Sequence, residues 1–222
     1  MSRKITIIGA GSVGSTIAYN LSTTAFANEI VLIDINKDKV EGEVMDIVQG
    51  ASFRDPISIV AGEYEDARDS DIVIITSGIA RKPGQTRIEL TQTNVNILKN
   101  ITPQIVKVAP NALYIIVSNP VDIMTYVFTR ISGLPESQII GSGTILDTSR
   151  LQSELAKRFC ISPKNVHAHV YGEHGDSSFV PWSLVHIANN HIDSYKNSSP
   201  DKDRIDWNRD YEEVETFVKK SG

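Results

Sequence analysis

Six short stretches of this chain hold groups suited to acid–base and phosphate chemistry. They are Gly-Ala-Gly-Ser-Val-Gly at 9–14, Asp34, Arg-Lys-Pro-Gly-Gln-Thr-Arg at 81–87, Ser-Asn-Pro at 118–120, Leu-Asp-Thr-Ser-Arg at 146–150 and Gly-Glu-His-Gly-Asp-Ser at 172–177. The last four together supply one imidazole, several carboxylates, an amide and several guanidinium groups. An imidazole, with an ordinary pKa near 6.5, exchanges a proton at neutral pH, and a guanidinium grips a carboxylate with two parallel hydrogen bonds. That inventory suits moving a proton and a hydride on a small carboxylic acid.

The first two stretches have a different task. Gly9, Gly11 and Gly14 fall in the G-x-G-x-x-G spacing straight after the apolar run Ile5–Ile8. Gly9 allows a tight turn, Gly11 leaves room for a pyrophosphate, and Gly14 lets the following helix pack closely on the strand. The N-terminus of that helix then faces the phosphate with free N–H groups and the positive end of its dipole. Asp34 closes a second apolar run, twenty residues after Gly14, where a carboxylate accepts hydrogen bonds from an adenosine ribose. A carboxylate there repels a ribose phosphate, so NAD is expected rather than NADP.

These groups need elements to position them. Apolar runs at 5–8, 29–34, 57–61, 72–76, 113–117 and 139–143 have strand length, and residues 12–22, 36–48 and 88–108 carry helical spacing. The first helix is expected to carry Val13, Ile17 and Leu21 on one face, and Asn36 to cap the second. Strands alternating with helices predict an α/β fold, a Rossmann-type doubly wound parallel sheet with the loops after Gly9, Asp34, Thr76 and Val117 along one edge. After residue 141 the pattern changes. A helix at 147–159, alternating runs at 166–171 and 183–187, a polar loop at 195–204 and an amphipathic helix at 206–220 predict a second domain of α+β type. Trp207, Tyr211, Val214 and Val218 form the inward stripe of that last helix. The expected division is 1–141 and 142–222.

Composition narrows the classes. The 222 residues are 41% hydrophobic, enough for a real core, and a net charge of −5 gives no reason to propose nucleic acid or an anionic membrane as a partner. Cys160 is the only cysteine, which excludes an intrachain disulfide and a cysteine metal cluster; it reads as a small residue at a helix end. The apolar run after Met1 is too short for a signal-peptide core, and no segment reaches the roughly 20 apolar residues that span a bilayer. A cytoplasmic protein is expected.

From Ile5 to about Ile192 the order and spacing of these motifs resemble the L-lactate and malate dehydrogenase family of NAD-dependent 2-hydroxy acid dehydrogenases. The resemblance implies that His174 is the general acid/base and Asp147 the carboxylate that orients it. Arg150 then clamps the substrate carboxylate, Arg87 polarises the reacting carbonyl from a loop that closes over it, and Asn119 sits where nicotinamide and substrate meet. Gly9, Gly11, Val13, Gly14, Asp34, Gly78 and Val117 are implied along the NAD, with Lys39, Tyr64 and Ser142 as peripheral contacts. Relatives assemble as dimers or tetramers, so a homo-oligomer is implied as well, together with a place in glycolysis and pyruvate fermentation.

Arg81 divides the family. Malate enzymes carry Arg there to pair with a second carboxylate, and lactate enzymes typically carry Gln. An arginine buried against a methyl group without a counter-ion costs roughly 3 to 5 kcal/mol, so Arg81 points to malate. The runs at 142–150 and 172–177 resemble the lactate branch, and lactate is the expected substrate, with measurable malate side activity. Family chains also continue well past residue 222, so a truncated chain that binds NAD without turnover is the alternative from another class. A metal site at His167 and His169 lacks a clear fourth ligand. His167 instead matches a fructose 1,6-bisphosphate position of allosteric relatives, but Gln152 stands where its basic partner belongs, so activation by that sugar phosphate is not expected.

Overall fold

The computed structural model describes residues 3–24, 26–80, 84, 86–198 and 207–221. The chain packs as two units, Met1–Gly141 and Ser142–Gly222.

The first unit is built on six parallel strands: β1 (Lys4–Ile8), β2 (Glu29–Ile33), β3 (Ser58–Ala61), β4 (Ile72–Ile75), β5 (Leu113–Ile116) and β6 (Ile139–Gly141). Their spatial order is β3-β2-β1-β4-β5-β6, so the chain reverses its direction of travel across the sheet between β1 and β4. In an open α/β sheet the crevice outside the carboxyl ends of the strands at that reversal is where ligands bind. Register is fixed by apolar pairs such as Ile8 with Ile33 on one side and Ile75 on the other.

Helices α1 (Ser12–Ser22), α2 (Lys37–Gln49), α3 (Arg87–Val108) and α4 (Val121–Ser132) complete this unit. Alternate strand residues feed two cores. Ile5, Ile7, Ile30 and Leu32 pack with Val40, Val44 and Ile47 of α2. Ile8, Val31, Ile33, Val73 and Ile75 pack with Leu98 and Ile105 of α3 and with Met124 and Phe128 of α4. Burial on both faces explains why these strands read as unbroken apolar runs, and each such side chain contributes about 1.5 to 3 kcal/mol.

Two local expectations fail here. The buried face of α1 is Gly14, Ser15, Ala18 and Ser22; Ile17 and Leu21 pack half-buried against the same core, while Val13, expected on their face, is 53% exposed. Small residues win because the helix must approach the strand closely; a Cβ on Gly14 would lie 1.8 Å from the carbonyl oxygen of Gly9. No element is expected between 120 and 139, yet α4 occupies residues 121–132, burying Val121, Met124 and Phe128 at helical spacing.

The second unit holds α5 (Ile145–Phe159), a small antiparallel sheet of β7 (Val166–His167), β8 (His186–Ile187) and β9 (Asn190–His191), then α6 (Ile192–Ser198) and α7 (Trp207–Lys220). Its core joins Leu151 and Leu155 of α5 to Val166, Val170, Ile187, Ile192 and, from α7, Val214 and Val218. Tyr211 packs against that core, stacked on Trp182 at 4.0 Å between ring centroids; the side chain of Trp207 lies outside the described residues.

The expected loop at 195–204 is a helix through Ser198, and residues 199–206 lie outside the described residues. Lys196 is the reason: buried, its Nζ lies 3.1 Å from Asp193 Oδ1 and 4.1 Å from the centre of the Tyr211 ring, so a residue that reads as solvated is a packed cation. Hydrogen bonding from Lys196 holds the Asp193 carboxyl below its usual range. The strands expected at 166–171 and 183–187 shrink to two residues each, with a further isolated bridge between Tyr171 and Phe179. Cys160 ends α5 in the left-handed conformation, φ 52°, and is exposed. Among the described residues, no helix is long and apolar enough to cross a membrane.

Candidate active site

In the first unit the glycine loop follows β1 and opens α1. Gly9 has φ +112°, and a Cβ there would lie 2.8 Å from Thr76 Oγ1 and 2.9 Å from the Ser77 nitrogen, so both its torsion and its surroundings require glycine. Gly11 differs: a Cβ on it would meet nothing within 4 Å. Gly11 is also the N-cap of α1, without a side-chain cap, and no acidic residue occupies the first turn. By contrast Asn36 caps α2 through the Lys39 N–H at 3.1 Å. Open space before an uncapped helix start fits the pyrophosphate of a dinucleotide.

Asp34 follows β2 and binds the loop itself. Its Oδ2 accepts from the Ala10 N–H at 2.6 Å and its Oδ1 from the Asn36 N–H at 2.9 Å. Lys39 is exposed on α2, and Val13 on α1 is likewise exposed, just inside the helix start. Tyr64 packs against the core, and burial, then the neighbouring Glu63, pushes its phenol up.

The loops after β4 and β5 are joined by side chains. Ser118 Oγ donates to the Ser77 carbonyl at 2.7 Å, and Thr76 Oγ1 donates to the Gly9 carbonyl at 2.9 Å. Asn94 on α3, 3% exposed, accepts from the Ile79 N–H at 2.9 Å and donates to the Asn119 carbonyl at 2.8 Å. It lies beside Gly78, where an added Cβ would meet the Asn94 amide at 3.4 Å. Asn94 therefore ties Ile79, the residue after Gly78, to Asn119. Reading by motif misses it; the available signal is a polar residue at the start of the buried stripe Asn94, Leu98, Ile101, Ile105.

Arg81 lies outside the described residues. Arg87 is the first residue of α3, whose start is fixed by a capping box: the Glu89 N–H donates to Thr86 Oγ1 at 3.2 Å, and the Thr86 N–H donates to Glu89 Oε2 at 2.9 Å. The Thr86 N–H, and after it the Thr86 hydroxyl, which donates to the same oxygen at 2.9 Å, hold the Glu89 carboxyl below its usual range.

The second unit brings three of the expected residues together. Asp147, 5% exposed, lies in the first turn of α5 and presents Oδ2 to His174 Nδ1 at 2.5 Å and Oδ1 to Arg150 Nη1 at 3.2 Å. Arg150 sits one turn along the same helix face, at i+3. His174 comes from the turn after Gly172, whose φ of +94° re-aims the chain, and its side chain is 24% exposed. A buried carboxylate on one imidazole nitrogen sets the tautomer and supports positive charge on the ring. Among the described residues no group of three or more His, Cys, Asp or Glu is placed to hold a metal ion. His167 and His169 share an exposed face, and Gln152 donates to the Ala168 carbonyl at 3.0 Å.

Two family models cover nearly all of the chain: the NAD binding domain of lactate/malate dehydrogenases over residues 3–141 and the alpha/beta C-terminal domain of the same enzymes over residues 144–222. The chain belongs to the lactate/malate dehydrogenase family. Among curated relatives, L-lactate dehydrogenase of Clostridium botulinum strain Hall is 50% identical over 208 residues, 94% of this chain and 64% of the relative. L-lactate dehydrogenase of Clostridium perfringens strain SM101 is 50% identical over 194 residues, 87% of this chain and 61% of the relative. This family member therefore spans a little under two thirds of the length of those relatives.

Solved structures of the family agree in fold. A lactate dehydrogenase from a Medee basin deep-sea metagenome library superposes with TM-score 0.92 at 39% identity, covering 99% of this chain and 69% of that one. The minor L-lactate dehydrogenase of Enterococcus mundtii, in a ligand-bound form, gives the same TM-score, identity and coverage.

Proposed function

We propose that this chain carries the NAD site and the proton-transfer pair of an L-lactate dehydrogenase, interconverting L-lactate and pyruvate. The observation that carries the reading is the His174–Asp147 contact of 2.5 Å with Arg150 on the same carboxylate. NAD is the cofactor that the family's first domain and the Gly9–Gly14 loop fit; when bound it exchanges a hydride with C2 of the substrate. Gly9, Gly11, Val13, Gly14, Asp34, Lys39, Tyr64, Gly78, Val117, Asn119 and Ser142 are proposed to line it.

In the direction of lactate formation, His174 starts protonated and gives its proton to the carbonyl oxygen of pyruvate as C2 gains the hydride. In reverse it takes the proton from the lactate hydroxyl. Asp147 holds the ring in position and stabilises the charged form. Arg150 grips the substrate carboxylate, and Arg87 polarises the carbonyl. Buried positioning of this kind supplies the orientation that chemistry at a small substrate needs. The reading extends to a cytoplasmic homo-oligomer, dimer or tetramer, reoxidising NADH with pyruvate at the end of glycolysis; family resemblance is its support.

Steady-state oxidation of NADH with pyruvate and with oxaloacetate tests the proposal. The expected result is a larger kcat/KM for pyruvate, with a smaller activity toward oxaloacetate through Arg81. A larger value for oxaloacetate moves the assignment to malate. Thermal stabilisation by NAD without turnover on either acid assigns the chain to binding alone.

A further inference from the structure

The segment that leads to His174 is held by helix side chains where a strand partner would normally hold it. Residues 166–170 keep the alternating burial of a strand, with Val166, Ala168 and Val170 buried. Strand pairing nevertheless stops after His167, opposite His186, and resumes only at Tyr171, opposite Phe179. Buried backbone groups at 168–170 still need partners. Helix α5 and its N-cap residue Thr144 supply partners for three of them, from positions i, i+4 and i+8. Thr144 Oγ1 donates to the Val170 carbonyl at 2.6 Å, the Val170 N–H donates to Thr148 Oγ1 at 2.9 Å, and Gln152 Nε2 donates to the Ala168 carbonyl at 3.0 Å.

This ladder sets a register. Thr148 is the residue after Asp147 on α5, and Val170 precedes His174 by four residues. A slip of one residue along an extended segment moves it about 3.3 Å and turns each side chain to the opposite face. Such a slip cannot preserve a contact of 2.5 Å between His174 and Asp147. We propose that Thr148, with Thr144 and Gln152, is a positioning residue of the proton-transfer pair, locking the 168–170 segment onto α5 so that His174 meets Asp147. Gln152, which replaces the basic residue expected beside His167, gains a role here: its amide is the outer rung. The inference rests on the proposed function for its kinetic consequence, though not for its geometry.

The test is the Thr148→Val variant, which keeps shape and removes the hydroxyl, beside Thr148→Ser, which restores it. Proton NMR of the whole chain reads the low-field Nδ1 proton shared by His174 and Asp147, assigned by its loss in His174→Gln, and NADH oxidation with pyruvate reads the chemistry. Thr148→Val is expected to lose or broaden the low-field signal and to lower kcat about 10-fold with KM changed less than about threefold; Thr148→Ser is expected to recover both. Retention of the signal and of kcat within about twofold in a folded Thr148→Val protein overturns the proposal. If Thr148→Val does not fold, Gln152→Leu is read in the same way, with kcat expected to fall about threefold and an unchanged signal counting against the ladder. If no protein in the series turns over, the proposed function fails, while the NMR comparison still decides the positioning role.

Discussion

Replacing Asp147 by Asn tests the proton-transfer pair with little change of shape. In the native protein one buried carboxylate serves two donors, His174 at 2.5 Å and Arg150 at 3.2 Å. An amide has one acceptor, so whichever donor faces Oδ1, the other faces an NH2 group. If His174 faces the NH2, its ring is forced into the other tautomer; if Arg150 does, two donors oppose each other. In either arrangement the protonated ring loses its counter-charge. Two unit charges about 4 Å apart interact with about 4 kcal/mol at an effective dielectric constant near 20. The partial exposure of His174, at 24%, lets water screen part of this, leaving about 2 to 4 kcal/mol. That corresponds to a fall of roughly 30- to 1,000-fold in kcat/KM for pyruvate. The assay follows NADH absorbance at fixed saturating cofactor, with thermal melting and NAD-induced stabilisation as controls for the fold and the first unit. A folded Asp147→Asn protein that binds NAD and retains activity within about threefold of the native chain would refute the reasoning.

Three further outcomes follow from the geometry. Gly11→Ala is expected to melt within about 1 °C of the native protein, since the new methyl meets nothing within 4 Å, yet to weaken NAD at least about 10-fold; Gly14→Ala, whose methyl would sit 1.8 Å from the Gly9 carbonyl oxygen, is expected to lower the melting temperature as well. Asn94→Ala should cost about 1 to 3 kcal/mol in urea unfolding, because the Ile79 N–H and Asn119 carbonyl lose a buried partner, and should raise KM for NADH. Burial pushes the Tyr114 phenol well above its usual range, so the native state holds that proton more tightly than the unfolded chain. Stability from this group is therefore complete below pH ~10 and declines as pH rises beyond it, by up to about 1.4 kcal/mol per pH unit, a slope that Tyr114→Phe should remove in alkaline denaturation curves.

Much of the first unit is legible in the sequence because parallel strands buried on both faces leave unbroken apolar runs, as at Ile5–Ile8 and Glu29–Ile33. Its glycine loop is legible because close backbone approach at Gly9 and Gly14 leaves no substitute for glycine. What escapes is packing that reverses local character. The inward face of α1 carries Ser15 and Ala18 where hydrophobicity favours Val13, because proximity to the strand outweighs apolar area. Lys196 reads as solvated and is buried against Tyr211. The run at 166–171 alternates like a strand, and its burial follows that pattern, but Thr144, Thr148 and Gln152 take the place of the partner strand. Of the site, His174, Asp147 and Arg150 lie together in the second unit; Asn94 lies in no motif, and Thr148 lies inside the 146–150 motif without a role assigned there, so both are visible only through the backbone groups they satisfy.

The most direct measurement is the fate of the hydride. Incubating the chain with pyruvate and NADH deuterated at the transferring position of the nicotinamide, then recording deuterium NMR of the products, is expected to show lactate labelled at C2, with formation slowed at least about 1,000-fold in His174→Ala. Unlabelled lactate, no lactate at all, or labelled lactate formed equally fast without the imidazole would contradict the assignment of His174 and its partner to the chemistry.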